Sequence, residues 1–319
     1  MTVGVSRLEE ALRLFRDTLG FRVEMDFAAA PALCAAWGLA PGQAARIVEL
    51  SLAGYPVGRL RVIHCAPGAK TRVRVHHGDG PHDGPMDVGP KAIDFYIHPP
   101  AQRAYDLVTA AGFETRSPPI RHEVGETVSE EFVFWGPDGV PLLVMVGHRH
   151  GPDQMRRIEA PFSEVATVSV VGGDPAATRR FYGGALGLRA LIDVETAPEF
   201  LALANELTGT PRGTPIHWLL YAEPGEPSGK ILVLHFGGAP GKRLAGRMRP
   251  GHLGFSLMTQ FAPDLDALAR ELRSAGAPIM TPPVVVPWGD GTRRIMLVHG
   301  PNEELFEFVE GAIHRPSRS

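Results

Sequence analysis

The strongest constraint on this chain is that it repeats itself. Residues 11–42, ALRLFRDTLGFRVEMDFAAAPALCAAWGLAPG, align with residues 177–209, ATRRFYGGALGLRALIDVETAPEFLALANELTG. Phe15 matches Tyr182, Leu19-Gly20 matches Leu186-Gly187, and Pro31 matches Pro198. RLRVIHCAPG (59–68) matches KILVLHFGGAPG (230–241), which sets His64 against His235. The next stretches agree as well: AIDFYIHPPAQRAYDLVTAAGFETRSPP (92–119) with HLGFSLMTQFAPDLDALARELRSAGAPIMTPP (252–283), and GPDGVPLLVMV (136–146) with GPNEELFEFVE (300–310). A repeat of this length means that both halves fold on one plan.

Each half contains two modules with a common rhythm. A short apolar strand such as AIDFYI or HLGFSL comes first, and a helix follows. In 264–275, Leu265, Leu268, Ala269 and Leu272 share one helical face. The helix ends at a small residue plus glycine, as in Ala111-Gly112, Ala275-Gly276 and Leu186-Gly187, where a left-handed backbone suits glycine. Three strands complete the module; in 294–309 RIMLVHG and ELFEFVE flank a Gly-Pro-Asn turn. Modules 1 and 3 carry an insertion at about 29–40 and 197–208, read as a short helix ending near Gly38 and Gly209. Polar, Gly- and Pro-containing residues 147–162 read as the linker between halves. The 37 Gly and 30 Pro fit many short elements and tight turns.

Several functions are disfavoured. A net charge of −3 gives no basic face for nucleic acid. No apolar run approaches the ~20 residues of a membrane span. The start, MTVGVSRLEEALRLF, becomes an amphipathic helix pattern rather than a signal peptide, so a cytoplasmic location is expected. Cys34 and Cys65 sit in apolar contexts and read as buried free thiols. There is no phosphate loop, nucleophile elbow or CxxC pair.

Two strings carry a family resemblance. One is Val168-x-Val170-x₃-Asp174-x₃-Thr178-x₂-Phe181-Tyr182-x₃-Leu186-Gly187; the other is Gly300-Pro301-Asn302-x₂-Leu305-Phe306-Glu307-Phe308. They resemble the opening strand and helix, and the last strand, of the vicinal oxygen chelate superfamily, the glyoxalase, bleomycin-resistance and extradiol dioxygenase group. The likeness runs through all four modules. It implies an α+β fold of four βαβββ modules in two tandem pairs, each forming a cup-like mixed sheet with helices outside. Residues 1–147 would form the N-terminal pair, structural or substrate-enclosing, and residues 160–312 the C-terminal pair with the active site.

The resemblance also implies a divalent metal in a working cup, held by the first position of an opening strand and the middle of a closing strand. In module 4 these fall on His252 and Glu307; in module 3 on Thr167 and Val233; in module 2 on Ala92 and Leu143. In module 1 the opening position would precede Met1 and the closing one is Val62. His252 and Glu307 are therefore the expected metal ligands, with iron(II) or manganese(II) as the metal and a metal-free site as the alternative. His235, two residues beyond Val233 on the same strand face, is a further catalytic candidate, although its recurrence as His64 leans towards a structural role. Thr167, Val233, His217 and Tyr221 are expected to line the substrate pocket.

Other residues have blander readings. HHGDGPHDGP (76–85) reads as a solvated loop. Asp94 needs a partner if buried; it either faces the first-half cup or pairs with Arg61. Trp37 lies in an insertion placed to cover the first cup. The expected function is an enzyme acting on a small apolar or aromatic molecule in the C-terminal cup, most like a metal-dependent ring-cleaving dioxygenase. The alternatives are a metal-free lyase or isomerase using His252 and Glu307 as acid and base, or a drug-sequestering binding protein. The expected partner is a small-molecule substrate, with neither nucleic acid nor membrane, and a homodimer is compatible with the resemblance.

Overall fold

The computed structural model describes residues 1–311 apart from 53–54, 56, 69, 77–80, 152–157, 159, 227 and 239–240. Module 1 comprises β1 (Thr2–Gly4), α1 (Leu8–Leu12) running on as a π-helix over Arg13–Thr18, β2 (Arg22–Ala28), α2 (Pro31–Ala36), β3 (Ala44–Ser51) and β4 (Leu60–Ala66). Module 2 holds β5 (Gly89–Ile97), α3 (Ala101–Ala110), β6 (Ile120–Val124), β7 (Thr127–Trp135) and β8 (Pro141–Arg149). Module 3 holds β9 (Phe162–Val171), α4 (Pro175–Arg179) with a π-turn over Arg180–Ala185, β10 (Arg189–Glu195), α5 (Leu201–Thr208), β11 (Ile216–Ala222) and β12 (Lys230–Phe236). Module 4 holds β13 (Gly254–Ala262), α6 (Leu265–Ser274), β14 (Ile279–Trp288), β15 (Gly291–His299) and β16 (Leu305–Glu310).

The four-module α+β plan read from the repeat is present, in two curled mixed sheets of eight strands. In each module the first strand lies parallel to the last, and the remaining pairs are antiparallel. The helix-ending glycines adopt the left-handed backbone expected of them, with φ of +87° at Gly112, +65° at Gly187 and +77° at Gly276. Both insertions form the short helices α2 and α5.

The sheets do not join neighbours in sequence. One sheet runs β14-β15-β16-β13-β1-β4-β3-β2, so module 1 pairs with module 4. The other runs β10-β11-β12-β9-β5-β8-β7-β6, so module 2 pairs with module 3. The seams are the antiparallel pairs β1–β13 and β5–β9. Segments 1–147 and 160–312 therefore each give one module to each sheet, rather than closing a cup apiece. All four modules present a similar first strand, so the chain pattern alone does not say which two strands will pair.

The helix-bearing faces of both sheets share one apolar core. Phe181 and Tyr182, at the end of the α4 helical segment, pack on Phe306 of β16, with ring centroids 5.6 and 6.1 Å away. The Tyr182 hydroxyl reaches Glu304, which is fully buried. No helix among the described residues is long and apolar enough to cross a membrane.

Candidate functional site

The cup of modules 1 and 4 is plugged by charge and tryptophan. Glu307 of β16 is fully buried and accepts three hydrogen bonds: from Trp37 Nε1 at 2.7 Å, Arg61 Nη1 at 2.9 Å and Thr259 Oγ1 at 3.0 Å. Arg61 of β4 lies between the rings of Trp37 and Trp288, 5.5 and 4.7 Å from their centroids. Its Nε is 3.4 Å from Glu49, which Arg293 approaches at 3.3 Å. Burial raises the Glu307 carboxyl, but Arg61 and the three donors outweigh it and hold the carboxyl below its ordinary range. Trp37 arrives from the turn after α2, so the first insertion does cover a cup, one built with module 4.

This cup does not offer a metal site. Strand register sets Thr2 beside Arg61 and Thr259 beside Glu307, so one carboxylate faces a guanidinium and two threonines. The arginine cation occupies the place a metal would need at Glu307. His252 is not brought to Glu307. It lies in the turn before β13, donates from Nδ1 to Arg247 O at 2.8 Å, and lines a surface hollow with Gln43, Lys70 and Arg249. Among the described residues, no group of three or more His, Cys, Asp or Glu is placed to hold a metal ion.

The cup of modules 2 and 3 is different. It holds a hollow lined mainly by apolar side chains including Val133, Leu143, Trp218, Leu220, Leu232 and Leu234. That lining suits a small molecule. Against this wall stands a polar cluster built by period-two alternation. His122 of β6 pairs across the ladder with Ser129 of β7, and Glu131 is two residues further on the same face. His122 Nε2 is 3.1 Å from Glu131 Oε1, and the Ser129 hydroxyl donates to the same carboxylate. All three side chains are buried, His122 to 2% exposure. The Trp218 ring stacks on the imidazole, 6.2 Å between centroids at 29°. Burial pulls His122 down, yet the Glu131 charge overcomes it and raises the imidazole above its ordinary value. Glu131 is held low in return. Each partner therefore favours the charged form of the other. His122 Nδ1 is buried with no hydrogen-bond partner.

Asp94 of β5 lines the same cup. Its Oδ2 accepts from Ser169 Oγ at 2.8 Å, and its Oδ1 is buried without a partner. Burial raises its pKa to about 8. Of the two partners expected for it, neither Arg61 nor a first-half cup is found: it faces the cup shared with module 3. The register sets Asp94 beside Leu143 and Thr167 beside Lys230, so this cup too has a cation and an aliphatic side chain at closing positions. Its donor set does not fit a metal either.

Of the expected pocket residues, Thr167 lines this cup. Val233, His235, His217 and Tyr221 do not, because they are on the other face of β11 and β12. Lys230, Leu232 and Leu234 alternate into the cup, and Val233 and His235 point back. His235 packs against Gly172, and both its ring nitrogens are buried without partners. Burial, then nearby His217, lowers it to about 4. His217 bonds Asp193 at 2.6 Å on the helix side, and Tyr221 stacks on Tyr182, 5.3 Å between centroids. The 76–85 stretch is not simply a solvated loop. His76 lines the cup, and Asp83 is buried, bonded to Arg247 at 2.7 Å; residues 77–80 are outside the described set. His122, Ser129 and Glu131 were missed in the sequence. Their signal was present as polar residues at period two in a strand pair otherwise rich in Val and Phe.

Comparison with known proteins agrees with this architecture. Residues 164–308 match the family profile described as Glyoxalase/Bleomycin resistance protein/Dioxygenase superfamily. Glyoxalase I from Zea mays is similar in structure, with a TM-score of 0.60 at 13% identity over 97% of this chain and 90% of that one. A putative dioxygenase from Bacillus subtilis gives 0.59 at 13% identity over 97% and 83%. At that identity the likeness is one of fold. No curated protein matches the sequence. The profile match covers residues 164–308, modules 3 and 4, and the glyoxalase-type fold extends across the remainder of the chain.

Proposed function

We propose that the chain is a metal-independent enzyme that moves protons on a small, largely apolar carbonyl compound bound in the cup of modules 2 and 3. The observation that carries this reading is the buried His122–Glu131 ion pair under Trp218, facing a carboxyl whose pKa is near 8. An acid and a base tuned towards the working pH are what proton transfer needs. Protonated His122 has Nδ1–H free to donate to a developing enolate oxygen. Asp94, when ionised, can accept the proton leaving the adjacent carbon. Returning that proton elsewhere gives isomerisation, and loss of a leaving group gives elimination. Glu131 and Ser129 orient the imidazole and keep it charged. The apolar walls exclude water, which strengthens each of these interactions.

The metal-dependent ring-cleaving reading loses support because its three donors are not assembled in either cup. A pure binding role is the second reading, favoured by the mainly apolar lining. The test is deuterium wash-in at carbons next to a carbonyl, followed by NMR over a panel of small aromatic and aliphatic ketones and aldehydes. Exchange should survive chelation and fall by about 10²-fold or more in His122→Gln and in Asp94→Asn. Exchange that stops on chelation, returns with iron(II) or manganese(II), and persists in His122→Gln would sink the proposal. Tight binding without exchange would favour sequestration.

A further inference from the structure

One end of the same cup carries positive charge that no carboxylate balances. Lys91 of β5, Arg116 and His76 all line it. Lys91 is buried, and its Nζ donates to Pro85 O at 2.8 Å and Thr208 O at 3.0 Å. Arg116 Nη1 donates to Leu207 O at 2.9 Å. His76 Nε2 is buried with no partner. His76 and Arg116 are joined through Trp135, on which His76 stacks at 5.4 Å and over which the Arg116 guanidinium sits at 5.3 Å, while Lys91 Nζ lies 5.2 Å from the Phe236 ring centroid. Neither Lys91 nor Arg116 forms an ion pair with a described carboxylate. The cup's own carboxyls are engaged elsewhere, Asp94 with Ser169 and Glu131 with His122 and Ser129. Arg74, just outside the lining, is by contrast wrapped by the carbonyls of Gly84, Asp87, Gly89 and Pro90.

A structural account covers part of this. Leu207 and Thr208 end α5, and cations suit the carbonyl end of a helix. That explains where Lys91 and Arg116 sit. It does not supply a carboxylate for the Arg116 guanidinium, because a helix terminus offers only about half an elementary negative charge. Nor does it involve His76. Burying such a cluster is unfavourable unless an anion joins it. The same strain shows in Lys91, which burial and the neighbouring Arg74 and Arg116 push well below the ordinary lysine range.

We infer that the ligand of this cup carries an anionic group, a carboxylate on a small apolar body, seated against Lys91, Arg116 and His76. Arginine offers the forked geometry that carboxylates fit, and the apolar walls receive the body towards Trp218 and His122. The inference rests on the proposed reading of this cup as the ligand site, and narrows the substrate to a small carboxylic acid.

The test is calorimetric titration of the full chain with 3-phenylpropanoate and with 3-phenylpropanamide, which differ in the charge of one group. The acid should bind wild type at least tenfold more tightly than the amide. In Arg116→Gln and in Lys91→Met the acid should fall to the amide's affinity while the amide is unchanged. Arg116 is half-buried, so its variant tests the point even if Lys91→Met fails to fold. Equal affinity for acid and amide would overturn the anionic subsite and leave the cup as a ligand site. Binding of neither would overturn both readings.

Discussion

Glu307 is where two readings of this protein separate most sharply. If it is a structural anchor, Glu307→Ala removes a buried carboxylate that satisfies three donors, Trp37, Arg61 and Thr259. Arg61 is then left beside Glu49 alone, in a site where its side chain is 7% exposed. Removing one partner of a buried pair costs about 3–5 kcal/mol, since the other charge stays buried. For a chain of about this size, each kcal/mol lowers Tm by about 2–4 °C, so a drop of roughly 10 °C is expected by calorimetry or circular dichroism. Because Arg61 holds the Glu307 carboxyl low, the pair stabilises fully above the ordinary carboxylate range. That contribution is lost as pH falls through the folded value, so wild type and variant should converge in acid. The double variant Arg61→Met with Glu307→Leu should recover most of the loss, because Arg293 still pairs with Glu49. Ligand binding in the other cup should be unchanged throughout. A Glu307→Ala protein within about 0.5 kcal/mol of wild type, purified without a metal that wild type carries, would refute this account and restore the metal reading.

Asp94 gives a pH test of opposite sign. Its pKa is raised to about 8, so the fold prefers it protonated, and stability should fall as pH rises from about 4 to about 8. Urea unfolding at several pH values should show a loss on the order of 1 kcal/mol per unit in wild type that is absent in Asp94→Asn. For His122, imidazole NMR should find it titrating above the ordinary histidine value, and in Glu131→Gln below it, because burial remains when the charge is gone. A value unchanged by Glu131→Gln would remove the ion pair from the mechanism. At Gly172, a Cβ would lie 2.2 Å from His235 Cε1. Val233 Cγ1 would be 2.7 Å away as well, so Gly172→Ala should cost about 1–3 kcal/mol of stability, and His235→Ala in the same chain should relieve part of it. No relief would mean that His235 is not the packing partner.

Much of the fold was legible because its signals are local. The glycines after α3, α4 and α6 needed a left-handed backbone, and the repeat carried the module plan from one half to the other. The site was less legible, and a shift of one residue explains most of the difference. Placing the closing positions on Val62 and Val233 chose the helix side of β4 and β12, whereas Arg61 and Lys230 face the cups. A slip of one turns every side chain to the other face, so Val233 and His235 of β12 were carried away from the cavity together. Thr167, on the first strand of module 3, does line the cup.

The sequence by itself determined the modules, their order and the alternation of their strands, since each depends on residues within a few positions of one another. Which first strands meet was decided in the tertiary structure, where β1 chose β13 and β5 chose β9. That choice brought Arg61 to Glu307 across 246 residues and so filled one cup with its own ion pair. It also set Asp94 and His122 of module 2 against Trp218 and Thr167 of module 3, leaving the other cup open. Charge balance inside a cup depends on residues from two distant modules, and local patterning carries no record of which two those will be.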